Sequence, residues 1–185
     1  MADLSTLTYS SLQTAVGDWM ARGDLATNIP DFIFLAENEF NQVLRVRQME
    51  TLVTLLSTSG EAAVPSDYLT WRRVTWNGSP QRVLEYVQPD ILRTYHPILD
   101  ASTLSLNTGI PSLFTIERNS LITRPLDATV TATSTGNLDF DYYQAIPSLA
   151  SQGSTGTNWL LTGFADIYLS GALTEAYTFQ KDWDQ

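Results

Sequence analysis

The 185-residue chain has no cysteine, a single histidine (His96) and a single lysine (Lys181). Without cysteine there is no disulfide framework, thiol nucleophile or thiolate metal site. That composition fits a cytoplasmic product. No apolar run approaches the ~20 residues that a membrane-spanning helix needs. Met1–Tyr9 lacks the basic stretch and apolar core of a signal peptide. Neither GxGxxG nor GKT/GKS occurs, so no glycine-rich phosphate cradle is expected. Charged residues make up only 16% of the chain and are unbalanced, ten basic against twenty acidic, for a net charge of −10. A footprint that binds DNA by releasing counterions needs clustered positive charge, which this chain lacks. An acidic chain is compatible with a passage along which DNA slides without sticking, and its charge keeps a free subunit soluble.

What the chain does have is apolar substance, 43% hydrophobic and 11% aromatic, enough for a packed core and too much for disorder. Its pattern changes twice. Residues 9–47 read as two helices. In the first, over 9–22, Ser10 and Gln13 have capping-box spacing, Leu12, Ala15, Val16, Trp19 and Met20 form one stripe, and Gly23 suits the C-terminal cap. The second opens at Ile29-Pro30-Asp31, with Phe32, Ile33, Ala36, Phe40, Val43 and Leu44 as its apolar face. Arg45 and Arg47 suit its C-terminal end.

The stretch from 49 to 146 reads as short strands and turns. Met49–Leu56 is a strand and Gly60–Pro65 a turn into another. Hairpins are expected for Leu69–Trp76 with Gln81–Val87, for Leu113–Glu117 with Leu121–Thr123, and for Thr129–Thr133 with Leu138–Tyr143. Pro89–Tyr95 suits one helical turn. Ser151–Thr157 reads as a flexible loop, and Asn158–Tyr177 as a final helix on which Gly171 and Ala172 permit close approach of a neighbour. The fold class is therefore α+β. Helices at 1–48 and 151–185 form a small bundle, because isolated short helices are marginal in water, and 49–150 is an inserted antiparallel β-module, a sandwich or open barrel.

Candidate chemistry is sparse. His96 would have to serve any Ser-His-Asp arrangement, but no nucleophile-elbow glycine pattern surrounds a serine. Glu37 and Glu39 stand two apart on a helix, hence on different faces, and read as solvated. Asp139 and Asp141 share one face of a strand. They read as a polar face flanking Phe140 and Tyr142, or else as a glycosidase-like or cation-binding carboxylate pair. Asp166 has no evident partner. Arg72-Arg73 between Trp71 and Trp76 mixes base and aromatic, and suits cross-strand packing better than base stacking. No catalytic residue, metal or cofactor is expected.

Several pieces, in order, resemble the head-to-tail adaptor (connector) proteins of short-tailed bacteriophages. They are Thr8-Tyr9 through Trp19, Ile29–Glu37, Leu44–Glu50, Val64–Leu69 with Arg72–Val74, Gly109-Ile110-Pro111 with Phe114–Ile116, Leu138–Leu149 into Thr157–Leu161, and Asp166–Ala176. The resemblance covers nearly the whole chain. It implies a structural virion protein made in the host cytoplasm and placed at the head–tail junction. Copies would form a ring, expected to be a dodecamer, docked on the portal, extending the DNA channel and offering a platform to tail or nozzle proteins. DNA would pass without sequence-specific binding, and no membrane is involved. It carries over no catalytic residue. Members often continue into a further helical stretch, whereas this sequence ends at Gln185. Trp71, Arg72, Arg73, Trp76, Trp159 and Trp183 are the candidate interface residues, since tryptophan and arginine are favoured at interface hot spots. The competing reading is a carbohydrate- or receptor-binding β-module of a virion, for which a row of exposed aromatics would speak.

Overall fold

The computed structural model describes residues 8–96, 108–127 and 137–183, without the side chains of Asp182 and Trp183. Among these residues are five α-helices and eight strands, in two compact units: Met1–Gln48 with Ala145–Gln185, and Met49–Gln144. The fold is α+β.

The first unit is helical. Its α1 (Tyr9–Met20) begins at a capping box set two residues earlier than the sequence suggests. Thr8 Oγ1 accepts from the Ser11 N–H at 3.3 Å, and Ser11 Oγ accepts from the Thr8 N–H at 2.8 Å. Ser151–Thr157 is not a free loop. The carbonyls of Gly156 and Ser154 accept from the N–H groups of Tyr9 and Ser10 at 2.9 and 3.0 Å, satisfying donors that a helix start leaves orphaned. At the other end Ala21, at φ 52°, makes the left-handed cap expected of Gly23.

Helix α2 (Ile29–Val43) starts on Pro30 and Asp31, as its sequence signals. It ends at Val43, where Arg45 Nη1 donates to the Asn41 carbonyl at 2.8 Å. The final helical stretch is broken at Phe164 into α4 (Trp159–Gly163), capped by Asn158, and α5 (Ala165–Trp183). Helix α5 runs antiparallel to α2: Phe40 meets Tyr168 edge-on at 5.4 Å and Phe32 meets Phe179 at 5.5 Å. Gly171 makes this approach possible, because a Cβ there would lie 2.7 Å from Phe40 Cζ and 3.3 Å from Ala36 Cβ. Leu12, Val16, Ile33, Leu149, Leu161 and Tyr168 are all but fully buried in this unit.

The second unit contains two sheets. One has the order β1 (Glu50–Leu55), β8 (Leu138–Gln144), β3 (Tyr68–Trp76), β4 (Arg82–Val83); all its pairs are antiparallel. The other has the order β2 (Glu61–Ala63), β7 (Ser120–Arg124), β6 (Leu113–Glu117), β5 (Glu85–Tyr86). The expected strand Gln81–Val87 is divided between the sheets. The chain crosses at buried Leu84, whose N–H donates to Val74 O at 2.9 Å, and β5 then pairs in parallel with β6. The module is therefore not wholly antiparallel. Instead of closing a local hairpin, β8 lies between β1 and β3; the expected partner Thr129–Thr133 falls outside the described residues. Alternate residues Leu138, Phe140 and Tyr142 of β8 join Val74, Trp76, Phe114 and Leu121 in one core. The short helix α3 (Pro89–Tyr95) contributes Leu92 to the interior.

Candidate interaction surface

The outer face of the β1-β8-β3 sheet carries four of the residues singled out from the sequence, Arg72, Arg73, Asp139 and Asp141. A register shift between Trp71 and Arg73, opposite Tyr142 and Asp141, places one extra residue in β3. Strict alternation would send Arg72 and Arg73 to opposite faces; with the bulge, both point outward. Arg72 pairs with Glu50 and lies over the Tyr143 ring, 5.4 Å from its centroid. Arg73 pairs with Asp141 at 2.6 Å. Thr54 donates to Asp139 at 2.8 Å. Asp139 and Asp141 thus form the polar strand face the sequence allows, each engaged with a neighbouring strand. Surface ion pairs of this kind stabilise by only ~0–1 kcal/mol, so their effect is to hold two guanidinium groups in place rather than to hold the fold. Beside them Leu52 is 59% exposed, and a shallow groove of about 310 Å³ is lined by Glu50, Leu52, Arg72, Arg73 and Asp141.

Trp71 points the other way. Its ring stacks on Tyr86 of β5 at 5.4 Å and meets Phe114 edge-on at 5.2 Å. It retains 37% exposure and Tyr86 retains 41%. Trp76, a candidate interface residue, is a core residue: it is buried and its indole N–H donates to Asp127 at 2.6 Å. Trp159 is half-buried at the start of α4. The side chain of Trp183 lies outside the described residues.

Glu37 corrects the sequence reading. It is buried, accepting at Oε1 from the Leu149 N–H at 2.9 Å and the Tyr168 hydroxyl at 3.3 Å. Asn158 Nδ2 donates to Tyr168 Oη at 2.7 Å and to the Pro147 carbonyl at 2.9 Å, while its Oδ1 caps α4. Burial, with the Glu37 carboxylate close by, holds the Tyr168 hydroxyl well above the ordinary tyrosine range. This network ties residues 146–168 to α2, with Ile146 N–H donating to Asn41 Oδ1 at 2.8 Å. It is a structural clasp. Glu39 is exposed and takes no part.

His96 is half-buried beside a cavity of about 10 Å³, whose lining includes Thr115, Glu117 and Arg124, and Glu117 is engaged by Arg93 at 2.6 Å. No serine lines it. Among the described residues no cluster of three or more His, Asp or Glu side chains could hold a metal ion, and no helix is long and apolar enough to cross a membrane.

Sequence reasoning missed Trp19. It sits on the stripe of Leu12, Ala15, Val16 and Met20, all buried, yet is itself 65% exposed. Val43 and Tyr177, also placed on apolar faces, are 71% and 50% exposed. The stripes extend beyond what their own unit covers.

The chain belongs to the SU10 adaptor protein family, whose model matches residues 7–185. It is a bacteriophage head-to-tail adaptor, a structural component of the virion, and its family is not an enzyme family. None of the curated proteins compared with it matches the chain.

Proposed function

We propose that copies of this chain form a ring, a dodecamer, that docks on the portal at the head–tail junction, extends the DNA channel and receives tail or nozzle proteins. The match to the adaptor family over residues 7–185 carries this reading. The surfaces agree with it. A ring subunit needs two different contact patches, since head-to-tail contacts close by rotation. This chain offers apolar knobs on its helical unit and an arginine-bearing sheet face on the other. Trp71, Arg72, Arg73, Trp159 and Trp183 are the proposed interface residues; Trp76, being buried, is not among them. With a net charge of −10 per copy, a ring is strongly acidic, and a lumen of that sign repels DNA and lets it slide. The subunit is made in the host cytoplasm, performs no catalysis and binds no cofactor in this reading. For the competing carbohydrate-binding module, the exposed aromatics Trp71 and Tyr86 stack on each other, with 21° between planes, instead of lying side by side as a platform.

Mixing the purified chain with portal rings, followed by negative-stain imaging, tests the proposal. A second ring stacked on the portal is expected. Absence of association at moderate salt and high concentration would overturn it.

A further inference from the structure

The turn between β3 and β4 carries chemistry that the adaptor reading does not use. We infer that Asn77 is a self-modifying residue: its side chain closes on the Gly78 nitrogen, and the turn ages to aspartate and isoaspartate. The inference is independent of the ring reading.

Asn77-Gly78 is the one Asn-Gly pair in the chain. An asparagine Cγ can close a five-membered ring with the nitrogen of the next residue, and closure is easiest when that residue is glycine, which has no side chain to block the approach. Three features of the fold leave this turn open to it. Asn77 is exposed, as are Ser79, Pro80 and Gln81, so water and hydroxide reach it. Among the described residues no acceptor holds the Gly78 N–H, so the nitrogen can lose its proton without breaking a hydrogen bond. Gln81 Nε2 donates to Asn77 Oδ1 at 3.0 Å. Negative charge gathers on that oxygen during attack at Cγ, and a donor already in place stabilises it.

The glycine is also required by packing. A Cβ at Gly78 would lie 1.9 Å from Trp76 Cη2 and 2.1 Å from Trp76 Cζ2. That indole is buried and its N–H is held by Asp127 at 2.6 Å, so the ring is not free to move aside. A bulkier residue that would shield Asn77 has no room here. The fold thus needs the neighbour that makes Asn77 labile.

In the first step the deprotonated Gly78 nitrogen attacks Asn77 Cγ. The N–Cγ bond forms, the Cγ–Nδ2 bond breaks, and Nδ2 leaves as ammonia, taking a proton from water. Water then opens the cyclic imide. Hydrolysis at Cγ gives aspartate in the original backbone. Hydrolysis at the Asn77 main-chain carbonyl gives isoaspartate, with the chain routed through Cβ and Cγ. In total one water is consumed and one ammonia released, and nothing is oxidised or reduced. Either product adds a negative charge. Isoaspartate also inserts one atom into the backbone against which Trp76 packs, so modified copies should unfold at lower urea concentration.

The full chain is incubated in mildly alkaline heavy-oxygen water, and its tryptic peptide Val74–Arg82 is followed by mass spectrometry. The Asn77 amide should be replaced by a labelled hydroxyl, at a rate proportional to hydroxide concentration. Isoaspartate should be the larger product, detected as a substrate of isoaspartyl methyltransferase. The rate should lie within about tenfold of that of the free synthetic peptide, a barrier difference below about 1.4 kcal/mol. Asn77→Gln, whose closure needs a six-membered imide, should fold as wild type and stay unlabelled at that position. An Asn77 that stays intact in the folded chain while the free peptide converts would overturn the inference, because the fold then protects the turn. Equal isoaspartate in Asn77→Gln and wild type would overturn it too, by placing the modification elsewhere.

Discussion

Replacing Glu37 with leucine probes the buried clasp that joins α2 to the C-terminal part of the helical unit. The carboxylate accepts from the Leu149 N–H at 2.9 Å and from the Tyr168 hydroxyl at 3.3 Å. Leucine removes both acceptors at a buried position. Each orphaned donor costs about 1–3 kcal/mol. Part of this is offset, because the variant no longer buries a carboxylate. A net loss of about 2–4 kcal/mol is expected. Tyr168→Phe alone should cost about 1 kcal/mol, since Asn158 Nδ2 keeps its bond to the Pro147 carbonyl. In the double variant the orphaned hydroxyl is gone, so the combined loss should fall short of the sum by about 1 kcal/mol or more. Urea unfolding followed by helical circular dichroism measures all three. A Glu37→Leu variant as stable as wild type would refute the reasoning, and strict additivity in the cycle would show that the two side chains are not coupled.

Gly171→Leu should destabilise the helical unit by about 1–3 kcal/mol through overpacking against Phe40 and Ala36, read in the same urea experiment. Gly60→Ala should also destabilise: the residue sits at φ 75°, and a Cβ there would lie 2.4 Å from Arg124 Nη1 and 2.9 Å from the Thr123 carbonyl, so thermal unfolding should begin at lower temperature. Burial first, and then the hydrogen bond to Asp67, push the Tyr142 hydroxyl up to about 12 from an ordinary 10. The native state then holds this proton more tightly than the unfolded state. The associated stability is complete below pH 10 and lost between pH 10 and about 12. Alkaline unfolding curves of wild type and Tyr142→Phe should converge across that window; curves that stay parallel would contradict the assignment.

Much of the fold could be read from local pattern. The stripe on α2, the proline at its start, the turn at Arg118-Asn119 and the close approach at Gly171 all follow from residues within a few positions of each other. What escaped depends on distant partners. Helical spacing separates Glu37 from Glu39 but does not say which faces inward; that is decided by Leu149 and Tyr168, 112 and 131 residues away. The bulge that turns Arg72 and Arg73 to one face is set by the register against β8, which no local pattern around residue 72 reports. Trp76 could be read as an interface anchor or as core, because its burial depends on the second sheet. Trp19 looked like core because a stripe gives a direction but not the extent of the neighbour that covers it. The strand Gln81–Val87 looked continuous because Leu84 marks a crossing between sheets only once both exist.

A cryo-electron microscopy map of the intact virion's neck tests the central claim most directly. The account predicts a ring of copies of this fold between the portal and the tail, with the channel running through its centre. Finding the fold at the outer surface of the tail, or missing from the neck, would contradict it.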